Sequence, residues 1–149
     1  MRVLLIASAG GHLAQLLALR PWWQDRERHW VTREAIDTTS ALAGEAITYG
    51  HFPTTRNLPN LARNWRQARG VLASFQPDLI VSTGAALAVP YFMMARRHKA
   101  RTMYLEVVDR VDSATLTGRI VYPFTDDFCV QWPEQLRMYP EATVVGPVI

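Results

Sequence analysis

Residues 2–17 read RVLLIASAGGHLAQLL. Arg2 to Ala7 is a nearly continuous apolar run, the pattern of a strand buried on both faces of a parallel sheet. Gly10 and Gly11 break it, and the leucine-rich stretch Leu13 to Trp23 has helical spacing, ending near Pro21. Strand, glycine turn and helix open a βαβ unit. The rest of the chain repeats the alternation. Strands are expected at His29–Thr32, Ala46–Gly50, Asp78–Thr83, Arg101–Val107, Asp127–Gln131 and Ala142–Gly146. Leu58, Leu61, Trp65, Ala68 and Leu72 recur at spacings of three and four, predicting a helix whose apolar stripe is core. Further helices are expected over Ala85–Arg97 and residues 113–122. The fold class is therefore α/β: one doubly wound, mostly parallel, Rossmann-like sheet over 1–149.

Composition narrows the class further. The chain has 149 residues, 49% hydrophobic and 19% charged, which suits one soluble globular domain rather than a disordered or disulfide-stapled chain. Its single cysteine, Cys129, cannot form an internal bridge, and the simplest expectation is a buried thiol in a reducing cytoplasm. No secretory signal is visible and no apolar run approaches a membrane span. The longest uncharged stretch, Ala85–Ala95, suits a buried helix. His12, His29, His51 and His98 lack metal-ligand spacing, so no metal and no cofactor is expected.

The net charge of +3 hides a division. Residues 1–45 balance. Residues 46–105 set Arg56, Arg63, Arg66, Arg69, Arg96, Arg97, Lys99 and Arg101 against Asp78 alone, and residues 106–149 are net acidic. A basic middle attracts phosphates or an anionic lipid surface, the alternative being an ordinary solvated face. Nucleic acid is not expected, because no binding motif is present and aromatics do not interleave the basic cluster.

In a doubly wound sheet, ligands sit beyond the carboxyl ends of the strands, so chemistry is sought in the loops that follow them. After the first strand come Ser8, Gly10, Gly11 and His12. Two glycines admit a ligand to the backbone, and a helix starting near His12 offers free N–H groups to an anion. A histidine there suits a neutral base or a hydrogen-bonder, or simply a cap. The loop lacks the third glycine of a dinucleotide fingerprint, although Glu34 or Asp37 after the second strand would suit a ribose. Thr83 and Gly84 form a second turn into a helix. Thr55, Arg56 and Asn57 precede the striped helix and suit a phosphate, or plain N-capping by Thr55 or Asn57. After the fifth strand, Glu106, Asp109 and Arg110 crowd one loop, with Thr117 beyond. Burying Glu106 is costly unless Arg110 or another cation pairs with it.

Taken together, SAGGHLAQL, PTTRN, STGAALAVP, YLEVVDRVDSATLTGRIVYP, VQWPEQLRMYP and VVGPVI resemble the PssD-like bacterial polysaccharide-biosynthesis family over essentially the whole chain. That family is homologous to the membrane-anchoring subunit of the eukaryotic split N-acetylglucosaminyltransferase of dolichol-linked oligosaccharide assembly. More distantly, the chain is similar to the N-terminal half of MurG, which also has a Gly-Gly-His loop after its first strand.

The resemblance implies the acceptor-side, N-terminal half of a split GT-B glycosyltransferase. A separate PssE-like chain would bind the UDP-sugar, and the acceptor would be a polyprenyl-pyrophosphate-linked sugar. It implies His12 or Glu106 as the base, without metal or covalent nucleophile. Ser8, Gly10, Gly11, Thr55, Arg56, Asn57, Thr83, Gly84, Asp109, Arg110 and Thr117 would contact substrate. The eukaryotic relatives begin with a membrane-spanning helix, whereas this sequence begins at its first strand and ends about where a GT-B chain would cross into its second half. Membrane contact is therefore expected to be peripheral, on the inner face of the cell membrane, through Arg63, Arg66, Arg69, Arg96, Arg97, Lys99 and Arg101. The competing expectations are a non-catalytic tether that recruits a complete transferase, and an oxidoreductase-like nucleotide-binding module.

Overall fold

A computed structural model describes residues 1–148; Ile149, the last residue of the VVGPVI block, lies outside them. All seven expected strands form: β1 Arg2–Ile6, β2 Glu27–Thr32, β3 Ile47–Tyr49, β4 Leu79–Ser82, β5 Arg101–Leu105, β6 Asp127–Val130 and β7 Thr143–Val144. They make one sheet in the order β3-β2-β1-β4-β5-β6-β7, every neighbouring pair parallel. The order reverses between β1 and β4, so the crevice of a doubly wound fold opens there, at the carboxyl ends of the strands.

The period-two alternation of β1 sends its side chains to two cores. Val3, Leu5 and Ala7 pack with Trp30 and Val81 under Leu13, Leu16 and Trp23, from helices α1 (Gly11–Ala18) and α2 (Arg20–Trp23). Leu4 and Ile6 face the other way, against Ala68 and Leu72 of α4 (Leu58–Phe75), Tyr91 and Phe92 of α5 (Val89–Met94) and Val121 of α6 (Leu116–Val121). A short helix not expected from the sequence, α3 (Ile36–Ala41), follows β2.

Two helices differ from expectation. In α4 the buried positions are Asn60, Asn64, Ala68 and Leu72, a stripe four residues apart. Leu58, Leu61 and Trp65 are instead 76%, 42% and 37% exposed. The first turns of α4 cover a loop with open backbone groups, not an apolar sheet. Asn64 accepts from His51 N at 2.7 Å and donates to His51 O, while Asn60 donates to Pro53 O at 2.9 Å. Asparagines satisfy those groups where leucines would strand them. The expected Ala85–Arg97 helix is three pieces, a 3-10 turn at Ala86–Ala88, α5, and a second 3-10 turn at Ala95–His98. Pro90 sits in the first turn of α5, where its missing N–H costs nothing inside the helix but leaves nothing to extend it backwards.

Candidate functional site

The two glycine turns flanking the switch point are stitched to each other. Thr83 Oγ1 donates to His12 O at 2.6 Å, and His12 Nδ1 lies 2.8 Å from Thr83 O. A carbonyl only accepts, so Nδ1 carries a proton, and in the neutral form of this half-buried ring the lone pair is on Nε2. Gly84 makes room for this ring. Its φ of +128° disfavours a side chain, and a Cβ there would lie 2.5 Å from the imidazole. Thr83 and Gly84 are themselves buried, which corrects their assignment as substrate contacts; they hold His12. The second glycine turn leads first into a three-residue 3-10 turn and not directly into an α-helix.

The first helix end is open. Gly10 caps α1 with φ +76°, no side chain caps the helix, and the N–H groups of its first turn remain available. Asp37 on α3 accepts from Gly10 N at 2.8 Å through one carboxylate oxygen, so it shapes the glycine turn. Ser8 is half-buried beside the same turn, its hydroxyl 3.4 Å from Ala9 O.

At the post-β3 loop, Asn57 is the N-cap of α4, accepting from Asn60 N at 2.9 Å. This is the N-capping role expected as the alternative to a substrate contact. Thr55 and Arg56 are exposed at the tip of this loop, and Arg33, not singled out by the sequence, stacks over Phe52 with 5.6 Å to the ring centroid.

Glu106 is the largest departure. It is 0% exposed, and among the described residues no cation pairs with it. Its carboxylate accepts instead from Val107 N at 3.1 Å, Thr115 N at 3.3 Å, Thr115 Oγ1 at 2.9 Å and the Tyr139 hydroxyl. Burial, with the adjacent Glu106 charge, holds the phenols of Tyr139 and Tyr104 well above their ordinary range. A carboxylate so enclosed cannot reach an acceptor hydroxyl, so Glu106 is not the base. It fixes the loop that leads to Asp109 and Arg110, both exposed at the carboxyl edge, and to Thr117, half-buried in α6. Gly118 is the counterpart of Gly84: a Cβ there would collide with Glu106, Tyr139 and Thr115.

The basic residues gather away from this edge. Arg66, Arg69, Arg97 and His98, with Trp65 and Met94, line a groove of about 630 Å³ between α4 and the turn after α5. Arg63, Arg96 and Lys99 are exposed. Arg101 does not join them; at the start of β5 it pairs with Asp127 at 2.9 Å. Among the described residues no His, Cys, Asp and Glu cluster could hold a metal ion, and no helix is long and apolar enough to cross a membrane. Cys129 is half-buried, its thiol pushed up by burial and by Asp127.

Comparison with known proteins gives this geometry a family. The "UDP-N-acetylglucosamine transferase subunit ALG14" of Mus musculus is 24% identical over 181 residues, spanning 100% of this chain and 83% of the relative. The subunit of the same name from Eremothecium gossypii is 32% identical over 90 residues, 56% of this chain and 40% of the relative. Among solved structures, Acinetobacter baumannii MurG superposes with a TM-score of 0.78 at 17% identity, over 99% of this chain and 46% of MurG. The UDP-GlcNAc 2-epimerase of Methanocaldococcus jannaschii gives 0.74 at 14% identity, over 98% of this chain and 45% of the epimerase. The chain thus spans a little under half of each structural neighbour, and shares its fold. The profile of the family described as "Oligosaccharide biosynthesis protein Alg14 like" matches residues 62–148, more than half of the chain. The chain therefore belongs to the Alg14-like family of oligosaccharide biosynthesis proteins.

Proposed function

We propose that this chain is the acceptor-side half of a split GT-B glycosyltransferase, and that His12 is its base. The observation that carries the reading is the pairing of His12 Nδ1 with Thr83 O, which leaves Nε2 as a free acceptor at the switch point. In the proposed reaction Nε2 takes the proton of an acceptor hydroxyl as that oxygen attacks the anomeric carbon of a UDP-sugar, and the bond from that carbon to the UDP oxygen breaks. His12 is itself in the open first turn of α1, which suits a pyrophosphate on the acceptor. Arg56, Asp109 and Arg110 rim the same edge, where they can meet phosphate and sugar hydroxyls. The UDP-sugar would be held by a separate PssE-like chain closing over this edge. The subunit names of the relatives support a heteromeric enzyme.

Membrane contact is proposed through the outer face of α4 to α6. Leu61, Trp65, Met93 and Ile120 are exposed there, next to Arg63, Arg66, Arg69, Arg97 and Lys99. Apolar side chains inserted among cations suit a peripheral site on an anionic inner leaflet, at about 1 kcal/mol per basic residue. The acceptor's lipid would lie in the same leaflet. A capsule or exopolysaccharide setting is proposed on the resemblance to PssD-like proteins alone.

Co-expression of the chain with its donor-binding partner tests the reading, with a polyprenyl-pyrophosphoryl sugar as acceptor and UDP-N-acetylglucosamine, UDP-glucuronate and UDP-galactose as donors. The pair is expected to transfer sugar and the lone chain to be nearly inactive. His12→Ala is expected to abolish turnover without loss of membrane binding. Full turnover by that variant would favour the second reading, a tether without chemistry, which draws support from the enclosure of Glu106 and the basic groove.

A further inference from the structure

The block VQWPEQ, residues 130–135, has no part in the reaction as proposed, yet it does something unusual to the loop after β5. Residues 107–114 form no helix or strand, and among the described residues none of them makes a backbone–backbone hydrogen bond to another segment. Their exit from β5 and the first residues that follow are held by side chains of that block. Gln131 Nε2 donates to Glu106 O at 2.8 Å, Trp132 Nε1 to Val108 O at 2.6 Å, and Gln135 Nε2 to both Val107 O at 3.3 Å and Arg110 O at 3.1 Å.

Gln135 is the centre of the cage. It is 0% exposed, and its Oε1 accepts from Gln131 N at 2.8 Å and Trp132 N at 3.0 Å. One amide thus ties the bend of its own segment with its oxygen and grips the loop with its nitrogen. Only a residue with two donors and a double acceptor at that reach does both. Burying it is unfavourable unless every bond is made, and here every bond is made. Gln131 extends the cage to α1, sharing its Nε2 with Gln15 Oε1 at 3.1 Å, so the glycine-turn helix and the post-β5 loop are fixed to one point.

The geometry points to Gln135 and Trp132 as positioning residues that hold Asp109 and Arg110 in place for the acceptor. This rests on the proposed reading of that loop as acceptor-facing. Neither residue touches substrate; they act through the carbonyls of Val107, Val108 and Arg110.

Two variants test it. Gln135→Glu keeps the double acceptor but sets a carboxylate oxygen against two carbonyls. Trp132→Phe is milder: it removes the indole N–H together with part of a half-buried ring, so it keeps the test open if the first variant folds poorly. Both are made in the full chain co-expressed with its partner, and amide exchange of residues 107–114 is followed by mass spectrometry. Exchange there is expected to rise about tenfold in Gln135→Glu and a few-fold in Trp132→Phe, with β1 and β4 unchanged. With farnesyl-pyrophosphoryl-N-acetylglucosamine as acceptor, KM for the acceptor should rise about tenfold while KM for the UDP-sugar stays constant. Adding Trp132→Phe to the double variant Asp109→Ala with Arg110→Ala should cost nothing further, because both side chains being positioned are gone. Unchanged exchange in both variants overturns the cage. Raised exchange with unchanged acceptor KM, where Arg110→Ala does raise it, overturns the positioning role. An Arg110→Ala variant that leaves acceptor KM unchanged overturns the acceptor-facing reading of the loop and the positioning role with it, and this is seen without reference to exchange.

Discussion

Glu106→Ala separates structure from chemistry at this site. The substitution removes an acceptor on which Val107 N, Thr115 N, Thr115 Oγ1 and the Tyr139 hydroxyl converge. Val107 and Tyr139 are buried, so their donors have no route to bulk water. Each stranded donor costs about 1–3 kcal/mol, which gives about 2–6 kcal/mol for these two before any water enters the vacated space. Against a total stability of about 5–15 kcal/mol, that is a large share. At about 2–4 °C per kcal/mol for a chain of this size, the melting temperature should fall by about 10 °C. Urea unfolding followed by circular dichroism measures the loss directly. His12→Ala should behave in the opposite way. It loses one neutral hydrogen bond at a half-exposed ring, within about 1 kcal/mol of the parent, while transfer by the reconstituted pair falls by about 10²–10⁴. A Glu106→Ala variant as stable as the parent but devoid of transfer would refute the assignment, because it would return the carboxylate to the chemistry.

Gly84→Ala forces a Cβ against the His12 ring at a backbone angle that favours glycine; a loss of about 2–4 kcal/mol is expected in urea unfolding, with a shifted His12 Cε1–H resonance. Tyr91, Tyr104 and Tyr139 all keep their protons above the ordinary value of 10.0, chiefly through burial. The folded chain then retains protons that the unfolded chain loses, so stability is intact below pH 10 and falls above it by about 1.4 kcal/mol per pH unit for each phenol. Unfolding at pH 9, 10 and 11 checks this, and Tyr139→Phe should remove about a third of that slope. Trp65→Glu combined with Arg66→Glu should release the chain from vesicles containing phosphatidylglycerol, with binding that weakens in salt. Arg101→Ala should leave vesicle binding nearly intact, since that guanidinium is already engaged by Asp127 in an exposed pair worth about 0–1 kcal/mol.

The sheet was legible because its signal is local. A buried parallel strand such as Val3 to Ile6 is apolar on both faces, and nothing else in the chain competes with that reading. The Gly10, Gly11 and His12 turn was legible for the same reason, since turn chemistry is written in neighbouring residues. What stayed hidden depends on contacts remote in sequence. Trp65 and Ala68 both fall on the apolar stripe of a helical projection, and only the packing of α4 through Asn60, Asn64, Ala68 and Leu72 exposes one and buries the other. Glu106 has no cation beside it in sequence or in space; its partners Thr115 and Tyr139 lie 9 and 33 residues away. A signal for the cage did exist, in two glutamines within a strand-end segment, but Gln131 and Gln135 carry no charge and match no catalytic motif. Amides whose value is to satisfy backbone carbonyls become visible only once the loop they hold has a shape.

The contrast between the two loops at the carboxyl edge has a thermodynamic consequence under the proposed reading of an enzyme made in two pieces. The first turn of α1 is left with open N–H groups, which suits the anion proposed for it. The post-β5 loop is closed on itself, several of its carbonyls taken by Gln131, Trp132 and Gln135. Ordering a free loop costs about 1–2 kcal/mol per residue, so eight mobile residues between 107 and 114 would subtract about 10 kcal/mol from any association that had to fix them. In a transferase whose halves are joined by one chain, that cost falls once, during folding. In a transferase whose halves must find each other, it would fall on the association itself, with no linker to offset the lost translational freedom. The cage moves the cost into the folding of this chain, where the buried amides and the Glu106 hub offset it. Loosening the cage should therefore weaken assembly with the donor-binding partner as well as acceptor binding. Titration of Trp132→Phe against that partner should show a higher Kd driven by slower association, and an unchanged Kd would locate the benefit in the acceptor alone.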